Sequence, residues 1–149
     1  YETRSYPPSV RDAVEVAAAI DEPPSSVYKT LVVQRNPGRP LLVLLAGDRQ
    51  LDLKRLAGAL GEKTVQLAAH RDAERLTGLR VGGISALAVR DGAFDVCIDA
   101  AALGRARIFV SAGQRGVQLG VGVDELIALT GARLVALTES SAPAASDEA

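Results

Sequence analysis

The sequence predicts a single α/β domain of the α+β kind: a mixed, mostly antiparallel curved sheet or partly open barrel, with about three to five flanking helices. Three observations predict it. Apolar segments come in pairs joined by short turns rather than as alternating βαβ units. Helical apolar stripes lie between those pairs. The chain has 149 residues, 48% of them hydrophobic, which furnishes one core and not two.

Taken in order, Ser9 with Asp12 three residues on reads as a capping box. Val10, Val14, Ala17 and Ala18 then keep helical spacing until Asp21-Glu22-Pro23-Pro24 stops the helix. Val27 to Gln34 and Pro40 to Ala46 form a hairpin across Asn36-Pro37-Gly38, its second strand apolar throughout and so buried. Leu53, Leu56, Ala57 and Leu60 make a stripe between Asp52 as N-cap and Gly61 as stop. Thr64 to Leu67 is a short strand, and His70 to Leu76 a helix closed by Gly78. Leu87 to Val89 and Phe94 to Ile98 read as a hairpin across Asp91-Gly92. Arg107 to Ser111 and Val117 to Val121 flank the loop Ala112 to Gly116. Asp124 begins a last helix ending at Gly131, before a strand from Leu134 to Leu137. The expected folded domain is 1–139, with the Ser/Ala/acidic segment 140–149 as a disordered tail.

Composition prunes the chemistry. Cys97 is the only cysteine and His70 the only histidine, so a disulfide framework, a Cys-x-x-Cys pair and four-ligand zinc sites of the usual kind are excluded. His70, in the polar stretch His70-Arg71-Asp72, reads as a helix residue facing water. Seventeen Lys and Arg against eighteen Asp and Glu leave a net charge of −1, so no whole-molecule field draws in nucleic acid; a local patch must hold any polyanion, weakly and with salt sensitivity. No apolar run approaches the ~20 residues of a spanning helix, and no charged-then-apolar signal segment is seen. A cytosolic protein is expected. The chain opens on Tyr1, so a preceding segment is expected too.

Some residues stand out against that background. Period 2 puts Lys29 on the face shared by Val27, Leu31 and Val33. Either the lysine guards an edge strand, or its amine stands at a pocket mouth toward a phosphate or carboxylate. Gly82-Gly83-Ile84-Ser85 permits backbone N–H groups to point at an oxyanion, though a plain turn explains the pair as well. Ser111-Ala-Gly-Gln-Arg-Gly116 presents a hydroxyl, bare backbone and Arg115 on one loop. Asp99 either caps a short helix through Leu103 or marks a site edge. Arg49, Lys54, Arg55, Arg71 and Arg75 read as solvated charges.

Four ordered motifs, Val27-Tyr-Lys-Thr-Leu31, Leu51 to Gly61, Thr77 to Ser85 and Ile108 to Gly116, together resemble the YbaK family of aminoacyl-tRNA deacylases, whose related editing domain is inserted in many bacterial prolyl-tRNA synthetases. The resemblance covers about residues 6 to 138 and implies a YbaK-like fold. It implies a trans-editing hydrolase that cleaves the ester of a misacylated tRNA, Cys-tRNA(Pro)-like or of another small amino acid, without metal or other cofactor. By the same resemblance Lys29 and Gly82 are the catalytic residues. The lysine holds the terminal adenosine or its phosphate, and Gly82 orients the ester carbonyl and water with backbone groups. Tyr28, Thr30, Gly83, Ile84, Ser85, Asp99, Ser111, Gly113, Arg115 and Gln118 complete the expected substrate-binding set. The implied partners are the aminoacyl-tRNA 3′ end and a synthetase such as prolyl-tRNA synthetase, with no membrane.

Two positions depart from the family pattern. Ala86 stands where proline usually follows the Gly-Gly-x-Ser motif, and Gln118 stands where cysteine-clearing members carry Asp. No histidine of the kind used by alanine-clearing relatives occurs between Ala112 and Leu119. The amino acid cleared is therefore open. The alternative is a catalytically weak tRNA-end or synthetase-binding module of the same fold; a hydrolase of other small esters or nucleotide conjugates is the third reading.

Overall fold

A polar four-residue strand, β1 (Glu2–Ser5), opens the chain; no apolar alternation announces it, and only the structure reveals it. The structure is a computed structural model and describes residues 2–35, 37–89 and 92–138. The expected tail 140–149, and Asn36 and Asp91 of two expected turns, lie outside the described residues.

After β1 the order is α1 (Ala13–Ala19), β2 (Tyr28–Gln34), β3 (Leu41–Ala46), α2 (Leu53–Leu60), β4 (Gln66–Leu67), α3 (His70–Thr77), β5 (Asp95–Asp99), β6 (Arg107–Ser111), β7 (Val117–Gly122), α4 (Val123–Thr130) and β8 (Arg133–Val135). Short 3₁₀ turns at Pro24–Ser26 and Ala100–Gly104 precede β2 and follow β5. The strands form two sheets, a three-stranded one ordered β1-β7-β6 and a five-stranded one ordered β4-β2-β3-β5-β8. Among the described residues a single parallel bridge, between Val27 and Phe109, joins them, and the sheets do not close into a barrel. Four of the six strand pairings are antiparallel, as the hairpin pattern predicts.

The uniform apolarity of β3 follows from its central place. All six residues are buried: Leu42, Leu44 and Ala46 face a core shared with Tyr28, Ile98, Ile108 and Leu126, while Leu41, Val43 and Leu45 face α2 through Leu56 and Ala57. Helix α2 forms where the stripe places it. The Asp52 carboxylate accepts from the Lys54 and Arg55 amides, both at 3.1 Å, and Gly61 ends the helix in the left-handed region. Burial of Leu56 alone is worth about 1.5–3 kcal/mol.

Three expectations are corrected. Helix α1 begins after Asp12, whose side chain makes no capping bond, so Ser9 caps nothing; Val14 and Ala18 of the expected stripe are exposed. Residues 87–89 are no strand. The Ser85 hydroxyl accepts from the Leu87 amide at 3.1 Å, Ala88 N–H donates to the Ser85 carbonyl at 3.2 Å, and the chain turns there. β5 instead pairs in parallel with β3, Leu41↔Asp95 to Leu44↔Ile98, and with β8, because a strand apolar on both faces can be completed only from inside the sheet. The last helix starts at Val123, one residue before Asp124.

Candidate active site

At the seam between the sheets lies a cavity of about 660 Å³. Strand β2 crosses it, giving Tyr28, Lys29, Thr30, Leu31 and Val32 to the wall; β6 and β7 give Ser111 and Gln118, and the turn before residue 85 gives Val81, Gly82 and Ile84.

Lys29 sits opposite Leu45 in the antiparallel register, on the α2 side of the sheet beyond the helix's cover. Its Nζ donates to the Gly47 carbonyl at 3.3 Å, and among the described residues it forms no ion pair. Burial holds its pKa below the ordinary lysine value, offset by the charges of Asp12 and then Asp48. Gly47 must be glycine here: a Cβ would stand 2.6 Å from the Ala13 Cβ, so the start of α1 rests directly on the chain leaving β3. Lys29 is therefore a half-buried amine on the wall of a cavity. Strand β4 pairs with β2 only at Val33 and Gln34, so Lys29 lies on a stretch of β2 that β3 alone flanks, with its residue on the cavity lining.

Gly82 adopts φ +92°, open to glycine and rare for other residues. The Gly83 N–H is spent on the Arg80 carbonyl at 2.7 Å, whereas the Gly82 N–H has no acceptor among the described residues. The turn is gripped from two sides. Arg115 Nε donates to the Val81 carbonyl at 2.7 Å, and Val81 N–H donates to Glu74 Oε2 at 2.8 Å. A Cβ on Gly83 would lie 2.9 Å from the Arg115 backbone nitrogen, so the turn and the β6–β7 loop touch main chain to main chain.

Of the expected site set, Tyr28, Lys29, Thr30, Gly82, Ile84, Ser111, Arg115 and Gln118 line this cavity. Gly83, Ser85, Gly113 and Asp99 stand behind it. Ser85 is fully buried and holds the 85–88 turn; Gly113 donates its N–H to the Ser111 hydroxyl at 3.2 Å and, at φ +99°, nearly touches Ala88. Asp99 is fully buried at the far end of β5, where Oδ1 accepts from the Leu137 amide at 3.0 Å; it precedes a 3₁₀ turn without capping it. Its charge, after burial, is the next largest cause that pushes the Tyr28 phenol up to about 12, so that hydroxyl stays protonated in the physiological range.

Sequence reading missed Tyr6, Arg11, Asp12 and Glu74 on the wall, and His70, exposed as expected, also reaches its rim. Tyr6 arrives there because its N–H bonds the Gly116 carbonyl at 2.9 Å, extending the unforeseen β1. Arg11 packs on the Gly82 turn, where a Cβ would meet its Cγ at 3.3 Å. No signal in the local pattern marks these residues. Among the described residues, no three His, Cys, Asp or Glu side chains are grouped so as to hold a metal ion.

Residues 7–129 match the model of a family described as the aminoacyl-tRNA editing domain. A protein of Enterococcus faecalis named as a candidate Cys-tRNA(Pro)/Cys-tRNA(Cys) deacylase, EbsC, is 32% identical over 126 residues, which are 85% of this chain and 76% of that one. A proline–tRNA ligase of Aquifex aeolicus is 32% identical over 79 residues, 53% of this chain but only 14% of the ligase. The crystal structure described as that of a candidate trans-editing enzyme for prolyl tRNA synthetase superimposes with a TM-score of 0.82 at 27% identity, covering 93% of this chain and 86% of that one.

Proposed function

Because the chain belongs to the aminoacyl-tRNA editing domain family, we propose that it is an aminoacyl-tRNA deacylase whose catalytic cavity is the seam between its two sheets. The observation that carries this reading is that one cavity is lined both by a half-buried ammonium that forms no ion pair among the described residues and by a glycine turn whose Gly82 N–H has no acceptor among them. The ammonium of Lys29 takes the terminal adenosine or its phosphate. The Gly82 N–H faces the ester carbonyl, and one such donor on a developing oxyanion is worth about 3–4 kcal/mol.

In the step itself a water oxygen bonds to the carbonyl carbon and the bond from that carbon to the ribose oxygen breaks. The water's proton ends on the ribose oxygen. The chain's part is to bind, orient and supply donors, so few reactive side chains suffice. Arg11 and Arg115, flanking Gly82, add positive charge beside the place where the tRNA 3′ end enters.

The partners in this reading are the acylated 3′ end and, for choice of tRNA, a synthetase of the prolyl class; the likeness to a segment of proline–tRNA ligases supports the latter. The working unit is the folded domain 1–139. No helix among the described residues is long and apolar enough to cross a membrane.

The test is multiple-turnover release of amino acid from purified tRNA mischarged with Cys, Ala, Ser or Thr. Catalytic release from at least one is expected. Tight binding with no release would assign a tRNA-end binding module instead, and turnover of small esters but not of tRNA would assign the third reading.

A further inference from the structure

Glu74 makes one bond in the fold and keeps a charge which that bond does not need. From the middle of α3 it reaches seven residues along the chain, where Oε2 accepts the Val81 N–H at 2.8 Å. A neutral amide oxygen would serve as well. Its other oxygen, Oε1, makes no hydrogen bond among the described residues, yet it is not one of their buried unpartnered atoms, so it is accessible. The residue is half-buried and lines the seam cavity.

The other charges of the cavity bear on what that carboxylate can do. Arg11, Lys29 and Arg115 line it as cations, and Asp12 is the one further acid among its described lining residues. The charge of Asp12 acts on Lys29. Glu74 forms no ion pair among the described residues, which leaves it for a cation brought in from outside.

The deacylase reading supplies such a cation. An aminoacyl ester carries an α-amino group that takes a proton near neutral pH, one carbon from the carbonyl under attack. Arg11, Lys29 and Arg115 favour phosphate and repel an ammonium, so an acid must receive it. Covalent dimensions put Glu74 within reach. Val81 N and Gly82 N are three bonds apart, about 3.7 Å at most, which places Oε2 within about 6.5 Å of the Gly82 nitrogen. A carbonyl oxygen about 2.9 Å from that nitrogen carries the α-nitrogen about 3 Å further on, inside the same span.

We infer that Glu74 is a specificity-determining residue whose Oε1 accepts from the substrate's α-ammonium, so that the cavity selects esters with a free amine over N-acylated and α-hydroxyacyl ones. The inference rests on the deacylase reading and deepens it by naming the class of acyl group taken. A site built to hydrogen-bond a polar group rejects the analogue lacking it.

The experiment loads one tRNA with the amino acid that is cleaved fastest, or with the matching α-hydroxy acid, in which a hydroxyl replaces the ammonium at nearly equal size. It compares kcat/KM for the full chain and for Glu74→Gln, which keeps an acceptor for the Val81 N–H and removes the charge. The aminoacyl value is expected to fall about tenfold or more and the hydroxyacyl value by no more than about threefold. The intrinsic reactivity of the two esters cancels in the ratio of the four values. A loss shared equally by both esters would make Glu74 only a brace of the turn, and no loss on either would remove it from the substrate; both overturn the inference while the deacylase stands. If either ester is cleaved too slowly to follow, binding of 3′-amino-3′-deoxyadenosine acylated on its 3′-nitrogen with alanine or lactic acid to the same two proteins decides. A preference for the alanyl compound that Glu74→Gln abolishes keeps the inference, even where the absence of any release overturns the hydrolase. No preference in the parent, or one untouched by the variant, overturns it.

Discussion

Arg115 donates from Nε to the carbonyl of Val81 at 2.7 Å, tying the loop that leaves β6 to the residue before Gly82. This bond crosses from the three-stranded sheet's loop to the turn that carries Gly82. Arg115→Ala is expected to loosen the turn and lower single-turnover deacylation about tenfold or more, since a misplacement of about 1 Å can cost a hundredfold. An unchanged rate would show that Glu74 alone sets the turn.

Glycine substitutions separate contact from conformation. A Cβ on Gly83 meets the Arg115 nitrogen and the Gln114 carbonyl carbon at 2.9 Å, both main chain and unable to swing aside. Gly83→Ala should therefore cost about 1–3 kcal/mol in denaturant melts. Gly58, inside α2, has nothing within 4 Å of its would-be Cβ, so Gly58→Ala should stabilise by about 0.5–1 kcal/mol. Equal effects of the two would contradict the turn–loop contact.

The pH dependence follows from Lys29. Burial lowers its pKa below 10.5, so the unfolded chain holds that proton to higher pH than the folded one. Its contribution to stability is accordingly unfavourable below the folded pKa and fades as pH rises to 10.5. Enzyme-dependent deacylation, which needs the ammonium, should fall along an alkaline limb whose midpoint lies below 10.5. Asp12 opposes the shift, so Asp12→Asn should move that limb to lower pH. A limb that stays put or rises would remove Asp12 from Lys29's surroundings.

How much of this was legible beforehand depends on the range of each interaction. Helix α2 could be read in full because its cap, stripe and glycine stop lie within ten residues of one another. Lys29 and Gly82 stood out locally as well, one by period and one by paired glycines. The partner of β5 could not be read: Asp91-Gly92 offers a hairpin, and only the two-sided burial of β3 decides for a parallel neighbour. Tyr6 was hidden for the same reason, since β1 carries no apolar alternation and exists by pairing with a strand more than a hundred residues away. Asp99 shows the reverse case. A carboxylate after a strand looks like a site edge, yet Asp99 is fully buried off the cavity lining, with Oδ1 on the Leu137 amide.

Initial rates of amino-acid release from mischarged tRNA, compared between the parent chain and Lys29→Ala with circular dichroism recorded on both, test the central claim most directly. The account predicts at least a hundredfold loss for the variant with the spectrum and melting point retained. Turnover that survives the substitution in a folded variant would contradict it.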